Sequence, residues 1–348
     1  MPRRLPIDQL GDCLRWALPR YGADRSDWIM RRLAEPLARA AVSETVAAEI
    51  RNECGEYQAV AVAIRGAAAT AELLVLQVAE VASADIRRVA PSLQDLANRV
   101  LSPLLDDLSG YGVRFLQANC DEVDQATMLA AVGFQRIADV ALMSLPAKRF
   151  SVARRRLGFA TPANGQHWLP LAELGDRGQS ILAQLLAETF IETEDCPRLN
   201  HFLSGDRWAE VFLAAPTFDP EMTSLLRDES GWAGCLLLSR HRRTDHPPVS
   251  AMALPTDMNA PIPDTDEPAI TPESLPEAIE LVYMGVIPSH RGRGWGSLAV
   301  TETLRVAEAV GAARVVLAVD LRNRPAASIY RRAGWSEMLR ESVWGMGL

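Results

Sequence analysis

The stretch that decides the fold is Ser289-His-Arg-Gly-Arg-Gly-Trp-Gly296, because of the segments on either side of it. The apolar run Ile279 to Ile287 precedes it and predicts a strand, and Ser297 to Val310 follows it with the pattern of a helix. Its glycines let a tight turn bring backbone N–H groups close to a ligand, since no Cβ stands in the way. A helix that begins there adds unpaired N–H groups and the positive end of its dipole. The stretch therefore predicts an anion-binding loop suited to a phosphate or pyrophosphate.

Two well-known kinds of glycine-rich loop fit this stretch less well. The dinucleotide fingerprint G-x-G-x-x-G belongs early in a doubly wound unit, whereas here the glycines alternate and the unit lies at the end of the chain. A P-loop needs Gly-Lys followed by Ser or Thr, which the stretch lacks. A tight turn without a ligand remains as an alternative, but Arg291 and Arg293 place positive charge on the same turn.

The sequence after the loop narrows the interpretation further. Arg314 to Val319 is a continuous apolar run, typical of a parallel strand buried on both faces. Asn323-Arg-Pro-Ala-Ala-Ser-Ile-Tyr-Arg-Arg-Ala-Gly-Trp335 then predicts a short helix, and a last strand ends near Val343. The predicted order is strand, glycine-rich turn, helix, strand, short helix, strand.

These residues resemble the GNAT family of acyl-CoA N-acyltransferases over about residues 165 to 348. Arg291-x-x-Gly294-x-Gly296 matches the pyrophosphate loop of that family, and Asn323 through Tyr330 to Gly334-Trp335 matches its next motif in spacing. The resemblance implies an α/β fold with a mixed central sheet flanked by helices. It also implies transfer of an acetyl group from acetyl-CoA to a primary amine, by direct attack in a ternary complex and without a metal. The residues expected to hold the cofactor are Val286, Ile287, Arg291, Gly292, Arg293, Gly294, Trp295, Gly296 and Asn323.

The resemblance also implies catalytic roles for Tyr330 and Glu280. Tyr330 matches the proton donor to the departing CoA sulfur, and a phenol with a reference pKa near 10 stays protonated at neutral pH. Glu280 lies six residues before Val286, as the base does in the histone-modifying branch of the family. A carboxylate near the acceptor would help to deprotonate an amine that is largely charged at neutral pH.

Each of these assignments has an alternative. Glu280 fits equally well as a solvated carboxylate at a strand end. Tyr330 fits a helix residue that packs on the sheet, and Asn323 fits a helix cap as well as a CoA contact. Three further acidic residues lie in the predicted loop that covers the acceptor in this family and are alternative bases or substrate contacts: Glu192, Glu194 and Asp195.

Gly285 interrupts the apolar strand before the loop. A glycine inside a strand often marks a bulge or a close backbone approach. Family members have a bulge here, which would free the Val286 amide to face the thioester carbonyl as an oxyanion donor. The alternative is a glycine kept for packing. Trp295, Trp335 and Trp344 are expected to be core or rim hydrophobic residues rather than ligand-stacking groups.

The first half of the chain repeats the element order of the second. Ala71 to Val81, Val113 to Ala118 and Gln135 to Leu145 predict strands, and Leu93 to Leu108 and Asp124 to Val132 predict helices. A repeat of this size predicts two tandem GNAT-like domains, 1–150 and 151–348, the second with a proline-rich mobile insertion at about 241–278. An unrelated α/β domain is the alternative for the first.

The two copies differ where the chemistry is expected. The stretch Ala84-Asp-Ile-Arg-Arg-Val-Ala-Pro91 replaces the glycine-rich loop, Leu129 takes the place of Tyr330, and Glu122 takes that of Asn323. The first copy is therefore predicted to be degenerate, and only the second to bind CoA. A non-catalytic CoA-binding or structural protein, or transfer of a longer acyl group, stays open as an alternative function.

Amino-acid composition and charge restrict the classes of protein to which the chain could belong. The chain has 348 residues, 48% of them hydrophobic and 23% charged, as in a globular protein with sizeable cores. Its net charge of −8 argues against nucleic-acid binding and suits a cationic amine, either a small molecule or a peptide. Five scattered cysteines and five histidines show no disulfide or zinc spacing. With neither a signal peptide nor a membrane-spanning run in the sequence, we expect a cytoplasmic protein with no membrane partner.

Overall fold

The computed structural model describes residues 2–5, 9–21, 25–26, 29–30, 33, 44–79, 92–158, 166–202, 204–215, 218–241 and 278–348. Residues 84–91 of the first copy and 242–277 of the proline-rich insertion lie outside these residues. The chain divides into two compact units. Unit 1 comprises Met1–Asp139, His201–Leu203 and Glu341–Leu348, and unit 2 comprises Val140–Asn200 and Ser204–Arg340. The change of unit at Val140 lies ten residues before the predicted boundary at residue 150, and residues 201–203 and 341–348 belong to unit 1.

Unit 1 is a mixed sheet with helices packed against it. Its strands follow the order β1-β2-β3-β4-β5-β12, and among the described pairings only β4 and β5 run parallel. The elements are β1 Arg3–Arg4, α1 Leu10–Ala17, β2 Thr45–Arg51, β3 Tyr57–Arg65, β4 Thr70–Val78, α2 Leu93–Gly110, β5 Phe115–Cys120 and α3 Val123–Ala131, with parts of β6 Gln135–Pro146 and β12 Ser336–Gly347. A capping box between Ser92 and Asp95 begins α2, whose apolar face covers the alternating side chains of β2 to β5.

Unit 2 repeats this plan. Its strands follow the order β6-β11-β10-β9-β8-β7, and β10 and β11 run parallel. The elements are α4 Phe150–Arg156, β7 His167–Pro170, α5 Asp176–Thr189, α6 Gly205–Ala214, β8 Thr223–Asp228, β9 Gly231–His241, β10 Ala278–Val286, α7 Trp295–Ala309, β11 Arg314–Asp320 and α8 Arg324–Ala333. Short 3₁₀ turns cover Leu18–Arg20, Ala147–Arg149, Leu171–Leu174, Pro197–His201 and Pro288–His290. The prediction of two tandem α/β domains, each with a mixed sheet flanked by helices, is confirmed.

The parallel strand pair opens part-way along its length in both units. In unit 2, β10 pairs with β11 from Ala278 to Leu281, and the register with β9 shifts between Leu281 and Tyr283. In unit 1, β4 pairs with β5 from Thr70 to Leu73, and its register with β3 shifts at the corresponding place. Beyond these points the parallel strands have no ladder between them in the described residues. Each unit therefore has a splayed pair of strands at its centre.

The bulge predicted at Gly285 lies earlier in β10. Gly285 itself stays in regular register with Cys235. A Cβ on Gly285 would lie 2.6 Å from Cβ of Thr189 in α5, and a Cβ on Gly234 would lie 2.2 Å from O of Gly285. The glycines are therefore explained by the close approach of α5 and β9, and the bulge at Leu281–Tyr283 by the opening of the sheet.

Candidate active site

The glycine-rich loop forms as the sequence predicts, between β10 and α7. Gly292 and Gly294 have φ angles of +76° and +85°, in the left-handed region that favours glycine, and Gly294 caps the N-terminus of α7. No atom lies within 4 Å of the place that a Cβ would take on either residue. The loop therefore presents backbone N–H groups and a helix N-terminus to open space, as an anion-binding site requires.

Two residues of the predicted cofactor set instead contribute to packing. Trp295 is only 3% exposed, and its ring meets the His290 ring edge-on at 5.9 Å. A Cβ on Gly296 would lie 2.8 Å from Cδ1 of Ile329, so this glycine allows α7 and α8 to approach closely. The amide of Ile287, also in the predicted set, donates to O of Ala233 at 3.0 Å and therefore points toward β9.

The side chain of Arg291 does not line the anion-binding loop as predicted. Its guanidinium donates to O of Val286 at 3.0 Å and to three carbonyls at or after the end of α5: Thr189 O at 2.9 Å, Ile191 O at 2.7 Å and Glu192 O at 2.9 Å. The carbonyls at a helix C-terminus carry the negative end of the helix dipole, which favours a cation there. Arg291 therefore fastens the end of α5 to the end of β10. Arg293, by contrast, is exposed on the loop.

The segment after α5 holds the three alternative acidic candidates, and the structure separates them. Glu192 and Glu194 lie toward the surface, whereas Asp195 faces the end of β11. The φ angles of Glu192 and Cys196 are +51° and +44°, which are unfavourable for residues other than glycine. Contacts from Arg291 and from the end of β11 hold this strained segment in place.

A pair of carboxylates meets at the carboxyl end of β11. The Asp320 amide donates to Oδ1 of Asp195 over a long 3.4 Å, and the Cys196 amide donates to Oδ2 of Asp320 at 3.1 Å. The fully buried Asp320 also forms an ion pair with Arg322 at 3.3 Å. Burial raises the pKa of the Asp195 carboxyl, and the charge of Asp320 raises it further.

Tyr330 and Asn323 lie beside this pair. Asn323 caps α8 by accepting the Ala326 amide at 3.2 Å, and its side chain also forms a hydrogen bond with the Asp195 carboxylate. The Tyr330 side chain is buried, and its ring centroid lies 5.8 Å from that of Trp335. Burial raises the pKa of the Tyr330 phenol above its usual value, and the charge of Asp195 adds to this effect. The phenol therefore stays protonated at neutral pH, as a proton donor needs.

Glu280 lies away from this group. Because its neighbours Ile279 and Leu281 belong to the core of unit 2, alternation along the strand places Glu280 on the opposite face. One Glu280 carboxylate oxygen lies 2.7 Å from Nε2 of His241, at the end of β9. Glu280 pairs in register with Val316, four residues before Asp320, which separates the two acidic groups by about 13 Å along the sheet.

The open part of the β10–β11 pair lies between the glycine-rich loop and the polar side chains at the carboxyl end of β11. Residues two apart on a strand point their amides to the same side, so the Met284 and Val286 amides share one edge of β10. Because the Ile287 amide donates to Ala233 of β9, the same alternation directs the Gly285 amide toward β9 and the Met284 and Val286 amides toward β11. Across the gap, Ala318 of β11 is exposed although its neighbours are buried. The gap is therefore open to a ligand at the point where unpaired strand edges face each other.

Several residues around the gap could not be found from sequence. Thr189 accepts a hydrogen bond from the Tyr283 hydroxyl at 2.8 Å, and Tyr283 stacks on Phe190 with ring centroids 5.6 Å apart. His241 and Asp320 had no motif to mark them, although Asp320 ends a parallel strand, a frequent place for functional side chains. The predicted tryptophans are buried as expected, Trp335 at 5% and Trp344 at 7% exposure.

Comparison with known proteins identifies part of unit 2. Residues 262–335 match the Acetyltransferase (GNAT) family. The match spans the splayed strand, the glycine-rich loop and α8. This segment belongs to the GNAT family. Unit 1 repeats the order of strands and helices of unit 2, as expected for two tandem copies of one fold. The family match supports acyl-CoA-dependent N-acyltransferase activity in general, with acyl-CoA as the co-substrate.

The chain is also similar to solved structures. A GCN5-related N-acetyltransferase from Sphaerobacter thermophilus shares 17% identity over 86% of this chain and 80% of its own, with a TM-score of 0.46. A tandem GNAT protein from the clavulanic acid biosynthesis pathway shares 14% identity over 100% of this chain and 98% of its own, with a TM-score of 0.46. A GCN5-related N-acetyltransferase from Kribbella flavida shares 16% identity over 90% and 94%, with a TM-score of 0.45. No curated protein matches the sequence. The assignment to the GNAT family therefore rests on the family match.

Two further features are absent from the described part of the chain. No group of three or more His, Cys, Asp or Glu side chains in these residues could hold a metal ion. None of the described helices is long and apolar enough to cross a membrane.

Proposed function

We propose that unit 2 is an N-acetyltransferase that moves an acetyl group from acetyl-CoA to a primary amine by direct attack in a ternary complex. The observations that carry this proposal are the open strand gap beside an unobstructed glycine-rich loop, and a buried tyrosine in α8 whose pKa is raised. A thioester needs both: a place to hold its phosphate-bearing tail and a proton for the thiolate that leaves.

In this proposal the cofactor follows the loop and the strand edge. The pyrophosphate binds to the amides of Gly292 to Gly296 and the N-terminus of α7, where an anion is favoured. The pantetheine arm lies along the free edge of β10. The Val286 amide donates to the thioester carbonyl oxygen as negative charge develops there, and the Met284 amide lies on the same edge. Asn323 holds the end of β11 in place beside the sulfur.

The proton transfers are assigned to two side chains. Glu280 accepts a proton from the ammonium form of the acceptor, directly or through water, and its hydrogen bond to His241 holds the carboxylate on the open face of β10. The free amine then attacks the thioester carbon, and the C–S bond breaks as the Tyr330 hydroxyl gives its proton to the departing thiolate. The nitrogen of the new amide gives up its second proton, which returns to the Tyr330 phenolate directly or through water. We assign Asp195 a positioning role, because its carboxylate accepts hydrogen bonds from the Asp320 amide and from Asn323.

The experiment that tests this function measures release of free CoA from acetyl-CoA in the presence of a panel of amines. The intact chain should release CoA only when an amine is present, and Gly294→Trp should abolish release by filling the space above the loop. Gly311→Trp is the matched control, since Gly311 also has a positive φ angle, +71°, and no atom within 4 Å of a Cβ. Release that survives in Gly294→Trp would contradict the proposal. Binding of acetyl-CoA without release would favour the non-catalytic alternative, and release only from longer acyl-CoA thioesters would correct the acyl group.

A further inference from the structure

Unit 1 contains the same strand gap as unit 2, in matching register. Leu76 lies three residues beyond the last parallel pair of β4, as Met284 does in β10. Asn119 lies one residue beyond the last parallel pair of β5, as Ala318 does in β11. The backbone groups that border the gap in unit 2 therefore have direct counterparts in unit 1.

In unit 1 these backbone groups already have partners from the N-terminal segment of the chain. The Leu76 amide donates to the Tyr21 hydroxyl at 2.8 Å, and the Tyr21 residue is only 8% exposed. The Arg25 guanidinium donates to O of Asn119 at 2.8 Å and is 7% exposed. One edge of the gap is thus bound by a phenol oxygen and the other by a guanidinium.

Further contacts in unit 1 hold this segment in the gap. The Arg25 guanidinium also lies 3.4 Å from the Glu341 carboxylate, and both side chains are less than 10% exposed. The Ser26 hydroxyl donates to O of Leu18 at 2.6 Å and so ties the residue after Arg25 to the end of α1. A charge pair of this kind is costly to bury, and removing one partner is more costly still. The segment is therefore fixed at both strand edges.

We propose that the side chains of Tyr21 and Arg25 are the built-in occupants of the unit 1 gap. The Tyr21 oxygen accepts the β4 amide at the position where a ligand carbonyl could accept it, and the Tyr21 side chain is buried there. This inference goes beyond the proposed function, because it requires no activity of unit 2. It assigns to unit 1 a binding cleft whose ligand, a phenol with one hydrogen-bonding oxygen, is part of the chain itself.

Removal of the occupant should open the cleft to a free phenol. Tyr21→Gly removes a buried side chain of the size of 4-methylphenol and leaves the Leu76 amide without its acceptor. 4-Methylphenol should bind there and restore the hydrogen bond, whereas toluene has the same ring without the oxygen. A site built around a hydrogen bond rejects the analogue that lacks the hydroxyl, because its buried amide is then left unpaired.

Two measurements test this inference. At saturating 4-methylphenol the melting temperature of Tyr21→Gly should rise by about 3 °C, and toluene should raise it less. Tyr111→Gly is the matched control, since Tyr111 is 54% exposed and should leave no such cavity. In Tyr21→Phe, hydrogen exchange of the Leu76 amide should be about fivefold to tenfold faster than in the wild type.

The outcomes are decisive even when one variant does not fold. Equal shifts of Tyr21→Gly and Tyr111→Gly by 4-methylphenol, or equal shifts by the two ligands, would overturn the inference. If Tyr21→Gly does not fold, the exchange measurement on Tyr21→Phe decides alone, and an unchanged rate at Leu76 would show that the hydroxyl does not occupy the strand edge.

Discussion

Tyr330 is the residue on which the proposed chemistry depends most. Its burial keeps the phenol protonated, and it lies in α8, where the charge of Asp195 also raises its pKa. Tyr330→Phe keeps the ring and removes only the hydroxyl, so binding of acetyl-CoA should be nearly unchanged. Turnover should fall by about 10²–10⁴-fold, the range for one positioned acid–base group. The loss should be smaller with a donor whose thiol is more acidic. Turnover at the wild-type rate would make Tyr330 a packing residue.

Glu280 is tested by the pH dependence of the rate. Glu280→Gln should slow turnover most at low pH, where the acceptor amine is protonated and needs a base, and least at high pH. Glu194→Gln is the control, because Glu194 lies toward the surface on the segment after α5. A ratio of rates that does not change with pH would remove the base role from Glu280 and favour the 192–195 segment.

The ionisation of Asp195 links the candidate active site to the stability of the folded protein. Because its carboxyl pKa is raised in the folded state, the protein loses stability as pH rises from the unfolded value of 3.8 through the folded value. Asp195→Asn cannot ionise, so it should be more stable than the wild type at pH 7. The difference should shrink as pH falls and vanish below the unfolded value. Urea unfolding at several pH values measures this, and a difference that is constant with pH would contradict the assigned cause.

At the scale of elements, Arg291 joins the end of β10, which carries the loop, to the end of α5, which precedes the 192–195 segment. Arg291→Lys keeps the charge but cannot reach four carbonyls at once, since lysine lacks the fork of the guanidinium. We expect the KM for the amine to rise at least about tenfold, with little change in acetyl-CoA affinity. Arg293→Lys is the control. A loss of acetyl-CoA affinity alone would return Arg291 to the anion-binding loop.

The elements themselves could be predicted because their signals are local. Glycine spacing, apolar periodicity and helix caps lie within a few residues of the structure they determine, and the predicted Leu93–Leu108 helix is observed as Leu93–Gly110. The direction of the Arg291 side chain and the Asp195–Asp320 contact depend on residues about 100 or more positions apart in sequence. The bulge was misplaced because a glycine can mark either a bulge or close packing, and only the contact with Thr189 distinguishes the two.

At the scale of the whole molecule, the chain contains two copies of one fold that differ at their clefts. Unit 2 has an open gap beside a glycine-rich loop, and unit 1 has a gap filled by Tyr21 and Arg25. In unit 1, Leu129 packs in the core where Tyr330 stands in unit 2. Both the sequence of residues 84–91 and the filled gap favour a first unit that binds no acyl-CoA.

The central claim is that acyl-CoA binds once, at the loop and strand gap of unit 2. Calorimetric titration of the intact chain with acetyl-CoA tests it most directly. We predict one site per chain, lost in Gly294→Trp and kept in Gly311→Trp, where the same substitution lies at the far end of α7. Two sites of similar affinity in the wild type, or a site that persists in Gly294→Trp, would contradict the account.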